Sequence, residues 1–161
     1  MNRFAGLAGI LMMVMVMFSA NAVAGTRDDC ITKCKEAASL LKTKGIDAAI
    51  KEISDPKAGM TWNNGVNYVF LMNMDCRMIA HPFRPDMKKS DQLIQVTDTN
   101  GKKFFVDFIN AAKKGRGWVK YDWEVPGKDV VKPKYTYIYR IPDTDYFVGS
   151  GFYVLAPGEY Y

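Results

Sequence analysis

The sequence predicts an α+β domain: a five-stranded antiparallel sheet with a long N-terminal helix and helices on one face. Three observations carry this. Apolar residues recur at helical spacing near the N-terminus and again around Phe105. Five runs rich in aromatic and β-branched residues are bounded by turn sequences. All but one of the connections between those runs are too short for a crossover helix, which forces antiparallel pairing.

Residues 1–24 read as a secretory signal peptide. Arg3 gives a positive start, Leu7 to Phe18 an apolar core, and Ala22-Val-Ala24 a small-residue cleavage site. The apolar run is shorter than the ~20 residues that span a bilayer, so cleavage is expected rather than retention as an anchor. The expected product is a periplasmic protein with no membrane span after processing. The net charge of +5 arises from scattered pairs such as Lys88-Lys89 and Lys113-Lys114 with acids between them. That is a solvated surface, and with export it argues against a nucleic-acid partner.

Asp28 or Asp29 is placed to cap a helix running to about Lys44, with Ile31, Cys34, Ala38 and Leu41 on one face and Gly45 at its end. A shorter helix follows, with Ile46, Ala49, Ile50 and Ile53 as its stripe and Asp55-Pro56 as its stop. Lys57 to Asn67 is irregular, and Trp62 within it reads as a rim-packing residue. Tyr68 to Phe83 reads as two short strands about a turn at Asn73-Met-Asp-Cys. Pro82 ends the second strand and places His81, the chain's one histidine, at a strand end.

Pro82 to Gln92 reads as an exposed loop, and Asp98-Thr-Asn-Gly101 as a turn. Phe105, Phe108, Ile109 and Ala112 form one face of a helix closed by Gly115. Three strands complete the sheet: Gly117 to Trp123, Lys132 to Ile141 and Tyr146 to Leu155. Gly149 and Gly151 in the last strand imply a close approach of another backbone or a ligand; both stay open, with packing of the long helix on the sheet as the favoured cause.

Cys30 and Cys34, four apart on a helix, are too widely spaced at Cβ for an unstrained disulfide. A bond from either to Cys76 and three free thiols are the two open alternatives. There is no metal-ligand spacing, nucleophile elbow or phosphate loop, so neither a cofactor nor an enzymatic reaction is expected.

The turn at Asn73, the following Arg77-Met-Ile-Ala-His-Pro, and the later segments Gly115-Arg-Gly-Trp-Val-Lys-Tyr-Asp-Trp, Pro133-Lys-Tyr-Thr-Tyr and Val148-Gly-Ser-Gly-Phe-Tyr resemble the single-Cache family over roughly residues 60–154. The chain departs from the family at Cys76, where Gly or Asn is usual. The resemblance implies a PAS-like fold and an extracytoplasmic ligand-sensing role. On it, residues 25–58 are the N-terminal helical segment, 59–155 the PAS-like core and 156–161 a tail. It also implies a pocket beside the sheet for small organic acids, at positions matching His81, Trp118, Tyr121, Trp123, Lys134 and Tyr137. Lys134 would meet a carboxylate as a point charge, with His81 and the tyrosines as donors.

Sensors of this family normally continue into a membrane helix and a signalling domain. The chain ends at Tyr161, so a free-standing binding module that signals through a membrane sensor or kinase partner is expected. The alternative is a protein-interaction module whose pocket is filled by its own side chains.

Overall fold

The computed structural model describes residues 26–57 and 66–154. The expected signal segment, Trp62 and the tail at 156–161 lie outside these residues. Helix α1 spans Arg27–Ser54. Its N-cap is Thr26 rather than Asp28 or Asp29: the Thr26 side chain accepts from the Asp29 N–H, and the Asp29 carboxylate accepts from the Thr26 N–H. This reciprocal box satisfies two helix-terminal donors at once. At Gly45 the backbone turns to φ 83°, breaking α1 into the two helical pieces that the sequence predicts.

Strands β1 (Val69–Asn73), β2 (Met78–Ala80), β3 (Arg116–Glu124), β4 (Val131–Arg140) and β5 (Tyr146–Tyr153) form one antiparallel sheet in the order β2-β1-β5-β4-β3. Helix α2 spans Phe104–Lys113, and Gly115 closes it at φ 88°. The side chains of each strand alternate between two cores. On one face Cys30, Cys34, Ala37, Ala38 and Leu41 of α1 pack on Val69, Leu71, Tyr137 and Val148. On the other, Phe104, Phe105 and Phe108 of α2 pack on Phe70, Met72, Val119, Tyr121, Ile138 and Phe147.

Three expectations are corrected or decided. The segment 82–92 is not a fully exposed loop: Pro85–Lys89 forms a 3-10 turn that buries Met87 in the α2-side core. Gly149 and Gly151 do not serve the packing of the long helix. A Cβ on Gly149 would lie 2.2 Å from the Phe70 ring, and one on Gly151 would lie 2.8 Å from Lys134 Cε. Both glycines therefore face away from α1 and clear space for side chains of the neighbouring strands. All three cysteines are free and buried. Cys76 sits in the α2-side core and Cys30 and Cys34 in the α1-side core, so the sheet separates the thiols that would have to bond.

Cys76 takes φ 61° in the β1–β2 turn, the conformation for which Gly or Asn is suited. The turn at Asp98 forms as predicted. Asp98 accepts from the N–H groups of Asn100, Lys102 and, across to the outer strand, Asp122. Lys102 Nζ meanwhile donates to the Lys120 carbonyl.

Candidate functional site

Four of the six expected site residues come together. His81, Tyr121, Trp123 and Lys134 all lie on the α2 side of the sheet. His81 and Trp123, with Tyr68, Phe83, Arg84, Glu124 and the 125–128 turn, line a cavity of about 150 Å³. Deeper in, Tyr68, His81, Tyr121 and Trp123 meet the α2 phenylalanines around a space of only about 10 Å³. The structure does not bring Trp118 and Tyr137 to this site. Both point to the α1 face, where their ring centroids lie 5.2 Å apart and Arg27 stands 4.8 Å over the indole. Trp118 and Tyr121 are three apart on one strand, as are Lys134 and Tyr137, and odd separations put side chains on opposite faces.

His81 is fixed by the chain that follows it. Pro82 turns the backbone so that Nδ1 accepts from the N–H groups of both Phe83 and Arg84, at 3.1 and 3.0 Å. The ring proton is thereby assigned to Nε2, which has no hydrogen-bond partner among the described residues. Burial, aided by the positive charges of Lys134 and Arg84, lowers the His81 pKa to about 3. The ring is thus a neutral, oriented N–H donor on the cavity wall across the physiological pH range.

Lys134 is 1% exposed. Its stem crosses the sheet over Gly151, and Nζ ends 3.8 Å from the Tyr68 ring centroid and 4.7 Å from that of Tyr153. Its hydrogen bond to the Tyr153 hydroxyl is long, at 3.5 Å, and among the described residues no carboxylate lies within ion-pair distance. Two aromatic faces stabilise a cation by the ring quadrupole but do not neutralise it. Burial accordingly lowers the Lys134 pKa from 10.5 to about 7, with Cys30 acting weakly in the other direction.

The hydroxyls around it are held in place. Tyr153 donates to the Glu124 carbonyl at 2.5 Å, and Tyr121 and Thr136 share a bond of 3.1 Å. Burial raises the pKa of Tyr68, Tyr121 and Tyr153, keeping all three phenols protonated. Tyr68, Tyr153, Arg84 and Glu124 were not among the expected site residues. Tyr68 begins the predicted two-strand segment, and its even spacing from Phe70 and Met72 was a usable signal for their common face. No comparable signal marked Arg84. The described residues contain no cluster of three or more acidic, cysteine or histidine side chains able to hold a metal.

A family model of the Cache domain matches residues 33–156. A periplasmic sensor domain of a chemotaxis protein superposes with a TM-score of 0.61 at 26% identity, covering 76% of this chain and 86% of that one. A Cache chemosensory domain studied for the structural basis of carboxylic acid recognition superposes with a TM-score of 0.61 at 25% identity, covering 76% of this chain and 84% of the other. A methyl-accepting chemotaxis protein of Vibrio parahaemolyticus shares the fold, with a TM-score of 0.65 at 18% identity over 78% of this chain and 86% of that one. The sensor histidine kinase MctS of Rhizobium johnstonii is 28% identical over 87 residues, which are 54% of this chain and 19% of the kinase. The chain thus spans about a fifth of the length of that curated relative. With a matched region that takes in most of α1 and all of α2 and the five strands, the chain belongs to the Cache-domain family.

Proposed function

We propose that this domain binds a small organic carboxylate on the α2 side of the sheet, in the periplasm, and passes its state to a membrane sensor or kinase partner. The observation that carries this is Lys134, a buried cation with no acidic partner among the described residues. A buried charge costs several kcal/mol unless it is paired, and an incoming carboxylate supplies the missing partner. His81 contributes Nε2–H, and the aromatic walls of Tyr68 and Trp123 contact the apolar part of the ligand.

A cavity near 150 Å³ elsewhere accepts benzene, so molecules of about six non-hydrogen atoms are the right size. Tyr68 lines the cavity, Lys134 does not, and Nζ stands against the Tyr68 ring, so a carboxylate in the cavity reaches Nζ only if that ring turns aside. The titratable groups around Nζ are Tyr68 just before β1, Tyr153 from β5 and the neutral His81 after β2, with Cys30 of α1 acting from the other side of the sheet. None is anionic near neutral pH, and ligand binding above pH 7 therefore takes up a proton at Lys134.

Two relatives support the reading: a Cache domain that recognises carboxylic acids and a sensor histidine kinase. Export through the signal-like residues 1–24 fits the periplasmic setting of a third. The nearly filled space beneath the α2 phenylalanines favours a second reading, a module that works by protein contact alone.

A thermal-shift screen of short carboxylates separates the two, since a ligand at ~100 times its Kd adds about 2.7 kcal/mol. Calorimetry should then show Lys134→Met weakening carboxylate binding about tenfold to a hundredfold. Lys120→Met, an exposed lysine on the opposite face, should leave it unchanged. Equal affinity in the two folded variants, or no stabilisation by any carboxylate, removes the proposal.

A further inference from the structure

We infer that Arg84 is an anion-recognising residue at the mouth of the cavity and that Glu124 occupies it as an internal competitor, which an incoming carboxylate must displace. The inference rests on the carboxylate-binding reading above and names how the ligand is admitted.

Arg84 uses its two edges differently. Nε and one terminal nitrogen pair with Asp86 of its own 3-10 turn, at 3.0 and 2.9 Å. Asp86 is no part of the cavity wall. The other terminal nitrogen donates to Glu124 Oε2 at 3.0 Å, and both of these residues line the cavity. Trp123 lies 5.7 Å from the guanidinium carbon, and the Arg84 backbone N–H is bonded to His81 Nδ1. One side of the fork is therefore oriented by Asp86 and by stacking. The other presents a carboxylate-binding edge to the same space that His81 faces.

The group now on that edge is itself a carboxylate. A ligand carboxylate would make the same bond, so the two compete for one donor. The bond is displaceable: the side chains of Arg84 and Glu124 are 34% and 63% exposed, and exposed ion pairs are weak. Glu124 need move only its side chain, because its carbonyl is held by the Tyr153 hydroxyl. Displacement would also cut the ion pair that ties the Arg84 turn to the β3–β4 hairpin, so occupancy at the mouth changes how those two segments are joined.

The test is calorimetric titration of the whole protein with acetate, propionate and pyruvate, and with propionamide as an uncharged analogue. Glu124→Gln should bind the carboxylates about two- to fivefold more tightly than the unaltered protein, the range set by the strength of exposed ion pairs. Propionamide affinity should not change. Arg84→Gln should bind carboxylates at least about tenfold more weakly than Glu124→Gln. Carboxylate affinity that is equal in Glu124→Gln and the unaltered protein overturns the inference and leaves the carboxylate reading standing. A gain shared by propionamide also overturns it, since the variant would then only have widened the mouth. Binding of none of the carboxylates to either protein ends both.

Discussion

Helix α1 meets its face of the sheet through small side chains. Cys30, Cys34, Ala37, Ala38 and Ala49 let the helix settle on Val69, Leu71 and Val148, with Ser150 and Asn67 bonded to each other at its edge. The opposite face uses the same strands but large side chains. Phe104, Tyr121 and Trp123 touch ring to ring, Tyr68 meets His81 and Phe83, and Lys134 and His81 sit among these rings without an anionic partner. Close packing of small groups spends its area on stability. Packing by rings around unpaired polar groups leaves a cavity and unsatisfied electrostatics, which a ligand can complete. A single alternation along each strand therefore separates support from recognition.

That division can be broken most forcefully at Leu71. It is fully buried against α1, and Leu71→Ala should cost about 2–5 kcal/mol in denaturant unfolding. Carboxylate affinity of the folded fraction should stay the same. A change above about threefold would show that the two faces are coupled.

A smaller effect distinguishes the faces by pH. The unfolded chain protonates Lys134 below about 10.5 and the folded chain only below about 7. Between those values the unfolded state holds the extra proton, so stability rises with pH. Cys30, raised from 9.0 to about 11, opposes this above pH 9. From pH 7 to 9, Lys134 should thus contribute a rise of up to about 1.4 kcal/mol per unit, and Lys134→Met should flatten it. On the acid side His81 works in the same sense. Its folded pKa of about 3 lies below 6.5, so stability is lost as pH falls through that interval. Urea midpoints across the two ranges check both signs.

The smallest effect is expected at Cys76. Releasing the left-handed backbone by Cys76→Gly gains about 1 kcal/mol, and loss of the buried thiol offsets part of it. The variant should melt within a few degrees of the unaltered protein, with unchanged affinity. A large loss would mean that the thiol holds the α2-side core together.

Much of the fold was legible because its signals are local. Gly45, Gly115 and the Asp98 turn punctuate the chain where their chemistry requires it, and the Tyr68–Phe83 hairpin carries its own stop in Pro82. The site was half legible. Residue types and resemblance picked out His81, Tyr121, Trp123 and Lys134, but grouping them with Trp118 and Tyr137 ignored strand parity, which was present in the numbering. The Tyr153 hydroxyl under Lys134 and the Arg84–Glu124 bond join segments 19 and 40 residues apart in sequence, and no local pattern encodes such meetings. The unpaired thiols follow likewise from which side of the sheet each cysteine meets.

The Asp98 turn has a bearing beyond the domain itself. Strand β3 forms an edge of the sheet, and an edge strand offers its backbone groups to any passing strand. Here Asp98 takes the Asp122 N–H and Lys102 caps the Lys120 carbonyl, so the middle of that margin is already occupied. Neighbouring copies brought close together would find little there to zip onto. The turn works as a hem, and it lets such domains crowd without merging their sheets into aggregates.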